Sequence, residues 1–362
     1  MAVEELPPYR VRDLMHVGRD GHDAMSKMMA RAVAAVNLSS GLVLNTLDAL
    51  ERRELEGLRR DLAVPVFDVG PLHKLSPAAG DNSSRLLCQD RSCLEWLDAW
   101  PPSSVLYVSF GSLACMTPRD MVETAWGIAG SGVSFIWVVR PGLVRGCAHD
   151  ADQLPVGFEA ATRQRGMVVA WAPQEEVLRH RGVGGFWTHN GWNSTMESVV
   201  EGVPMLCRPI FGDQMGNARG GGHGSEHEVE PSTLPTYTQT LDRSRGSTTP
   251  FIVVPGQSRP TAQSHGFIIY SDRRCPCAEL PQRTRNGIHR AIQLLYSRWI
   301  GFEVDGELER GKVEAAIRRL MTDRDGVEMR ARAGELKKAA AECTGKGGMS
   351  CLAIDKMAKD LD

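Results

Sequence analysis

The chain has 362 residues, 42% of them hydrophobic and 24% charged, with a formal net charge of −2. This is a globular mix long enough for two or three domains and for a core that needs no disulfide or metal staple. The near-neutral balance excludes the global positive field with which a generic nucleic-acid or anionic-membrane binder gathers its partner.

The first segments alternate in type. Apolar spacing in AMSKMMARAVAAV predicts a helix, SGLVLNT a strand and LDALERRELEGLRRDL a second helix, together within residues 20–60. VPVFDVGPL predicts another strand, ending at Gly70-Pro71, and the polar stretch Ser76–Asp90 reads as a linker. A second α/β run follows: strand SVLYVSFGS, helix PRDMVETAWGIAGSG, strand SFIWVVRP, strand GMVVAWAP, helix QEEVLRHR, strand GVGGFWTH, helix NSTMESVVEG and strand VPMLCRP. Apolar strands alternating with helices predict a parallel, doubly wound sheet, in which ligands sit at the carboxyl ends of the strands. Beyond Arg219 the pattern stops. Residues 220–299 hold seven of the twenty prolines and, apart from runs such as PFIVVP and HGFIIYS, show no sustained period, so a disordered insertion is expected. Order returns with two amphipathic helices, GELERGKVEAAIRRLM and GVEMRARAGELKKAAAEC.

The nine cysteines are an odd number with one close pair, Cys275-Pro-Cys277. That pattern predicts reduced thiols and neither a disulfide framework nor a zinc site. The start, MAVEELPPYRVRDLM, lacks the apolar stretch of a secretory signal, and no run approaches the roughly 18 apolar residues of a spanning helix, so a cytosolic protein is the expectation.

The densest chemistry lies in FWTHNGWNSTMESVVEGVP, Phe186–Pro204. It runs strand, glycine turn, helix. Ser194-x-x-Glu197 reads as a capping box, Met196, Val199, Val200 and Val203 share a face, and Gly202 with Pro204 stops the helix. A capped helix after a tight turn accounts for Ser194 and Glu197. It does not account for His189, or for Trp192 beside Asn193. Backbone N–H groups at such a helix start attract an anion, and His189, Asn193 and Ser194 add side-chain donors, which together make a cradle for a diphosphate. Upstream, Trp171 and Gln174 follow another strand, where a base could stack on one and meet the other. Downstream, Asp213 and Gln214 offer acceptors and donors to neighbouring sugar hydroxyls.

The 44 residues from Trp171 to Gln214, WAPQEEVLRHRGVGGFWTHNGWNSTMESVVEGVPMLCRPIFGDQ, resemble end to end the signature box of plant secondary-product UDP-glycosyltransferases. SVLYVSFGS, FIWVVRP, CLEWLDAW and GELERGKVEAAIRRLM are similar to that family's carboxy-terminal domain, and VEELPPYRVRDL and GLVLNTLDALE to the end of its amino-terminal domain. The resemblance implies an α/β fold of GT-B type, two facing Rossmann-like domains with parallel sheets flanked by helices. The donor would bind the second domain and the acceptor the first. It implies that Trp171 stacks on uracil, with the Ala172 backbone and Gln174 nearby, and that Glu197 takes the ribose hydroxyls. Ser112, His189, Asn193 and Ser194, with the backbone at Gly191, would hold the diphosphate, and Trp192, Asp213 and Gln214 would contact the sugar. A terminal Gln goes with glucose in the family by tendency.

On this reading residues 1–75 are a remnant of the acceptor domain, 76–103 the linker and start of the next domain, and 104–219 the UDP-sugar domain. Residues 220–299 are an insertion, and 300–362 are carboxy-terminal helices of the donor domain. The abrupt loss and recovery of pattern around the insertion points to an intron translated in frame. The family's histidine base, and the aspartate that orients it, have no counterpart in this sequence. His16, His22 and His73, the histidines before the linker, are not expected to replace the base.

The activity implied is transfer of glucose from UDP-glucose to a hydroxyl of a small plant metabolite, with inversion. No cofactor is implied beyond the donor substrate. No metal is implied either, since no Asp-x-Asp-like pair stands near the diphosphate site. A fragment that binds UDP or UDP-sugar without transfer is the alternative. A nicotinamide-dependent Rossmann oxidoreductase is disfavoured, because no Gly-x-Gly-x-x-Gly follows a strand with an acidic residue about 20 positions on.

Overall fold

The computed structural model describes residues 34–75, 88–146, 153–219, 251–254, 301–304 and 306–361, with Lys27, Arg31 and Ala32 before them. His16, His22, the linker at 76–87 and all of the 220–299 stretch except 251–254 lie outside the described residues. The chain divides into two compact units, one drawn from 1–75, 223–298 and 341–362, the other from 76–222 and 299–340.

The second unit is built on six parallel strands. They are β3 (Val105–Ser109), β4 (Ser134–Val138), β5 (Gly166–Val169), β6 (Val183–Thr188), β7 (Met205–Cys207) and β9 (Gly301–Glu303), in the order β5-β4-β3-β6-β7-β9. The doubly wound parallel sheet expected from the sequence is present. The chain moves outward from β3 through β4 to β5, then returns to the other side of β3 as β6. The crevice between the carboxyl ends of β3 and β6 is therefore the switch point at which such sheets bind ligands.

The sheet's central strands are apolar on both faces because helices cover both. Trp137, Trp187, Phe135 and Phe158 are fully buried, with the Phe158 ring set edge-on against Trp137. Helix α4 (Pro118–Ser131) starts where the Thr117 hydroxyl accepts from Asp120 N at 3.1 Å, with proline in the first turn, and ends at Gly132 with φ +73°. It packs against α9 (Arg310–Met321) so closely that a Cβ on Gly127 would lie 2.5 Å from Val313 Cβ. Burying a side chain such as Val313 contributes about 1.5–3 kcal/mol.

The other unit holds β1 (Gly41–Leu44), β2 (Val66–Asp68) and β8 (Phe251–Val254) in the order β2-β1-β8. β1 and β2 are parallel, with the 14-residue helix α1 (Asp48–Asp61) between them in sequence. β8 pairs antiparallel with β1 at all four residues, so the FIVV centre of the PFIVVP run forms a strand. Leu50, Leu55 and Leu58 of α1 are buried. The carboxy-terminal helix α11 (Met349–Leu361) lays Ala353, Ile354 and Met357 on Val43, Phe67 and Val69, and Ser350 Oγ donates to Gly70 O at 2.6 Å.

The sequence pattern places residues 300–362 together with the donor domain as helices. The structure differs in two ways. Residues 301–303 form the edge strand β9, and the stretch from Ala341 onward groups with the first unit because the apolar face of α11 finds its cover there. No helix among the described residues is long and apolar enough to cross a membrane.

Candidate functional site

Two turns meet at the β3–β6 crevice. The first leaves β3 through Phe110 and Gly111, whose φ of +71° is a left-handed conformation that a side chain resists, and exposes Ser112 at its tip. Behind it lies Arg140, just past β4 and 6% exposed. Its guanidinium donates to Gly111 O at 2.9 Å, to Pro141 O at 3.0 Å and to Ala114 O, so it grips both ends of the Ser112 turn.

The second turn leaves β6 through Thr188, His189 and Asn190. Asn190 takes φ +60°, which asparagine tolerates better than most residues. It is held by three groups. Its N–H donates to Thr188 Oγ1 at 3.2 Å, its Nδ2 to Cys207 Sγ at 3.1 Å, and its carbonyl accepts from Asn217 Nδ2 at 2.7 Å.

This turn sets the His189 ring against two glycines. A Cβ on Gly111 would stand 2.5 Å from His189 Cε1, and one on Gly191 would stand 2.5 Å from His189 Nε2. Burial, with the positive charge of Arg140, holds the His189 imidazole down at about 4. It is therefore neutral near pH 7, with one ring nitrogen a donor and the other an acceptor.

Helix α7 (Trp192–Glu201) begins immediately, capped by Gly191, which contributes no side chain to the first-turn amides. Here the expected capping box is not formed. The helix starts three residues earlier than that motif requires, which makes Ser194 its third residue and turns the side chain to another element. Ser194 Oγ accepts from Gln174 Nε2 at 2.9 Å, and the same nitrogen donates to Glu197 Oε2 at 2.6 Å. Gly202, with φ +71°, and Pro204 end the helix as the sequence predicts.

Gln174 opens helix α6 (Gln174–Arg179) directly after Trp171-Ala172-Pro173. Its amide orientation is set by Tyr107 of β3, whose hydroxyl donates to Gln174 Oε1 at 3.3 Å. Burial raises the Tyr107 phenol well above its ordinary range, so it stays protonated and keeps donating. Trp171 is half-exposed while Ala172 is buried, and the Trp171 carbonyl is tied to Asp90 N at 2.8 Å.

Asp213 stands before helix α8 (Gln214–Arg219), and Asn217 Nδ2 bridges its carboxylate, at 3.2 Å, to the Asn190 carbonyl. Asn193 is exposed at the start of α7. Gln214 is 3% exposed, and its Oε1 accepts from Ile210 N at 2.8 Å and Phe211 N at 3.1 Å, which ties it to the turn before α8. Trp192 is 2% exposed, so it supports the turn from below and presents no stacking face.

Tyr107, Arg140, Asn190 and Asn217 were not among the site residues expected from the sequence. A lone arginine closing an apolar strand and an asparagine before glycine are the signals that could have marked two of them. Among the described residues no group of three or more His, Cys, Asp or Glu side chains is placed to hold a metal ion.

The arrangement offers a half-exposed indole, a carboxylate held by an amide, and a neutral imidazole beside a helix N-terminus.

Residues 89–229 match the family model described as UDP-glucoronosyl and UDP-glucosyl transferase. The DIMBOA UDP-glucosyltransferase BX8 of Zea mays is 53% identical over 60% of this chain and 47% of its own length. UDP-glycosyltransferase 76E3 of Arabidopsis thaliana is 35% identical over 99% of this chain and 63% of its own length. The chain thus spans between about half and just under two thirds of these relatives. Among solved structures, UGT2 of Phytolacca americana, complexed with UDP-2-fluoro-glucose and pterostilbene, superposes with a TM-score of 0.68 at 25% identity, over 100% of this chain and 63% of that one. The α/β fold is of the GT-B type, and it is over residues 89–229 that the chain matches the UDP-glycosyltransferase family, with plant members among the proteins it is similar to.

Proposed function

We propose that this chain binds UDP-glucose and carries the donor site of a glucosyltransferase that acts on a hydroxyl of a small plant secondary metabolite. The observation that carries the reading is the cluster in which one amide nitrogen, Gln174 Nε2, serves both Ser194 and Glu197 beside the half-exposed Trp171. In this reading Trp171 stacks on uracil over the Ala172 backbone, and Glu197 accepts from the ribose hydroxyls. Ser112, Asn193, Ser194 and the Gly191 backbone receive the diphosphate with His189. Asp213, the amide nitrogen of Gln214 and the Trp192 segment line the sugar.

The acceptor oxygen attacks the anomeric carbon from the face opposite UDP. The bond from that carbon to the phosphate oxygen breaks, its electron pair leaves with UDP, and the configuration inverts. The α7 N-terminus and His189 meet the charge on the leaving oxygen. No further cofactor enters, and the acceptor hydroxyl gives up its proton to water, no described residue being assigned as its base. The maize relative's name and the UDP-sugar and stilbene bound in the pokeweed enzyme support a nucleotide-sugar donor and a small hydroxylated acceptor. Residence in the cytosol is part of the same proposal.

Calorimetric titration of the chain with UDP, beside a Trp171→Ala variant, tests it. Saturable binding by the parent, weakened about 5- to 100-fold in the variant through the lost stacking of roughly 1–3 kcal/mol, supports the reading. A soluble parent that binds no UDP sinks it. Turnover of UDP-glucose on a panel of phenolic acceptors, read as glucoside by mass spectrometry, then tests transfer.

A further inference from the structure

We propose that Arg140 is a positioning residue for the donor diphosphate: it pre-forms the Ser112 turn and sets a fixed positive charge behind it, so that phosphate is recognised there before any contact is made. This rests on the reading that the site binds a nucleoside diphosphate sugar.

The first ground is geometric. The guanidinium reaches Gly111 O at 2.9 Å on one side of Ser112 and Ala114 O on the other, while Gln153 Nε2 donates to the Arg140 carbonyl at 3.2 Å and fixes its backbone. The turn so held is the one whose Gly111 abuts the His189 ring, so the charge stands one backbone layer behind the anion cradle.

The second ground is the charge itself. Arg140 is 6% exposed, and no described carboxylate lies within ion-pair distance of it. A guanidinium is always charged, and burying one on carbonyl dipoles alone is costly compared with a surface arginine or a neutral side chain. An arginine that merely tied a loop would be cheaper with a carboxylate beside it. Left without one, its field is available to a bound anion. The field also disfavours protonation of His189, which leaves that ring a neutral donor while Arg140 supplies the charge.

The test compares UDP with uridine, which shares the base and ribose but lacks the phosphates, using the full chain, Arg140→Gln and Arg140→Lys. Arg140→Gln should lose at least 10-fold in UDP affinity with uridine affinity unchanged within about twofold. Arg140→Lys, which keeps the charge and loses the fork, should show a smaller but still UDP-selective loss. NMR titration of His189 in the ligand-free chain should show its midpoint rising in Arg140→Gln and not in Arg140→Lys, which a purely structural tie would not produce.

If UDP and uridine weaken together, or neither weakens, Arg140 is only a structural tie. Should Arg140→Gln not fold, the UDP-to-uridine ratio in Arg140→Lys decides by the same criterion. A parent that binds neither ligand sinks the functional reading first, whereas a parent that binds UDP with both variants unaltered sinks this inference alone.

Discussion

Gln174 and Glu197 are 23 residues apart in sequence and 2.6 Å apart in space, joined from the start of one helix to the middle of another. The pairing fixes the carboxylate that the proposed reading gives to ribose and occupies both acceptors, Ser194 and Glu197, with a single nitrogen. A hydrogen bond to a charged group is worth roughly 1.5–3 kcal/mol. Gln174→Ala should therefore weaken UDP about 10- to 100-fold, and uridine by a similar factor, because the loss falls on the nucleoside half. Calorimetry with both ligands checks this; a loss confined to UDP would place Gln174 with the phosphates instead.

Gly111 is constrained twice. Its φ is +71°, and an added Cβ would meet the His189 ring at 2.5 Å. Left-handed backbone alone costs a side chain roughly 1–2 kcal/mol, and the same ring also lies close to Gly191, where an added Cβ would stand 2.5 Å from Nε2. Gly111→Ala should lower the unfolding free energy by about 2 kcal/mol or more and weaken UDP binding. Gly146→Ala, which also has positive φ but open space around it, should cost only the backbone part. Urea unfolding of the two variants separates strain from collision.

Much of this was legible in the sequence because it is carried by period and punctuation. The strands from Val105 to Cys207 are apolar runs, and Gly202 is a glycine stop at a helix end. What stayed hidden depends on contacts between distant segments. Ser194 and Glu197 have the spacing of a capping box, yet the helix start is set by Asn190 and Gly191, and the two side chains turn to Gln174. The three residues of β9 are too few to show a strand period and find their place only by pairing with β7. Met349–Leu361 has a mixed pattern in sequence, and its apolar residues declare themselves only against Val43 and Phe67. Arg140 reads as the end of a strand, and nothing local tells that its fork closes on Gly111 and Ala114.

His189 gives the site a signature in pH. Its imidazole is held at about 4 against an ordinary value of 6.5. The unfolded chain therefore binds the proton first. The stability this group contributes is complete above about pH 6.5 and is lost as pH falls from there to about 4, after which it changes no further. Within that window the slope for one proton approaches about 1.4 kcal/mol per pH unit. His189→Gln should remove one proton's worth of slope between pH 4 and 6.5 and leave the curve above pH 7 parallel to the parent. Urea melts at half-unit steps measure this, and an unchanged slope would mean that the ring titrates as it does in the unfolded chain.

In the other unit Glu51 carries the opposite sign. Its carboxyl is 1% exposed and accepts from the Thr46 hydroxyl through Oε2, while Oε1 has no partner. Burial foremost, helped by the neighbouring Glu54 carboxylate, raises it well above the usual carboxylate range. A raised acid favours folding at low pH, where the group is protonated in both states. That contribution is lost as pH rises through the folded value, since the unfolded chain releases the proton more readily. Gln has nearly the shape of the protonated acid and no charge to bury. Glu51→Gln should thus raise the melting temperature at pH 8, with a gain that shrinks toward pH 4. Glu51→Ala should not match it, because it removes the Thr46 partner and opens a cavity. Calorimetric melts of both variants at pH 4, 6 and 8 decide the matter; a gain from Gln that is constant across the three would show that the carboxyl is not held protonated by the fold.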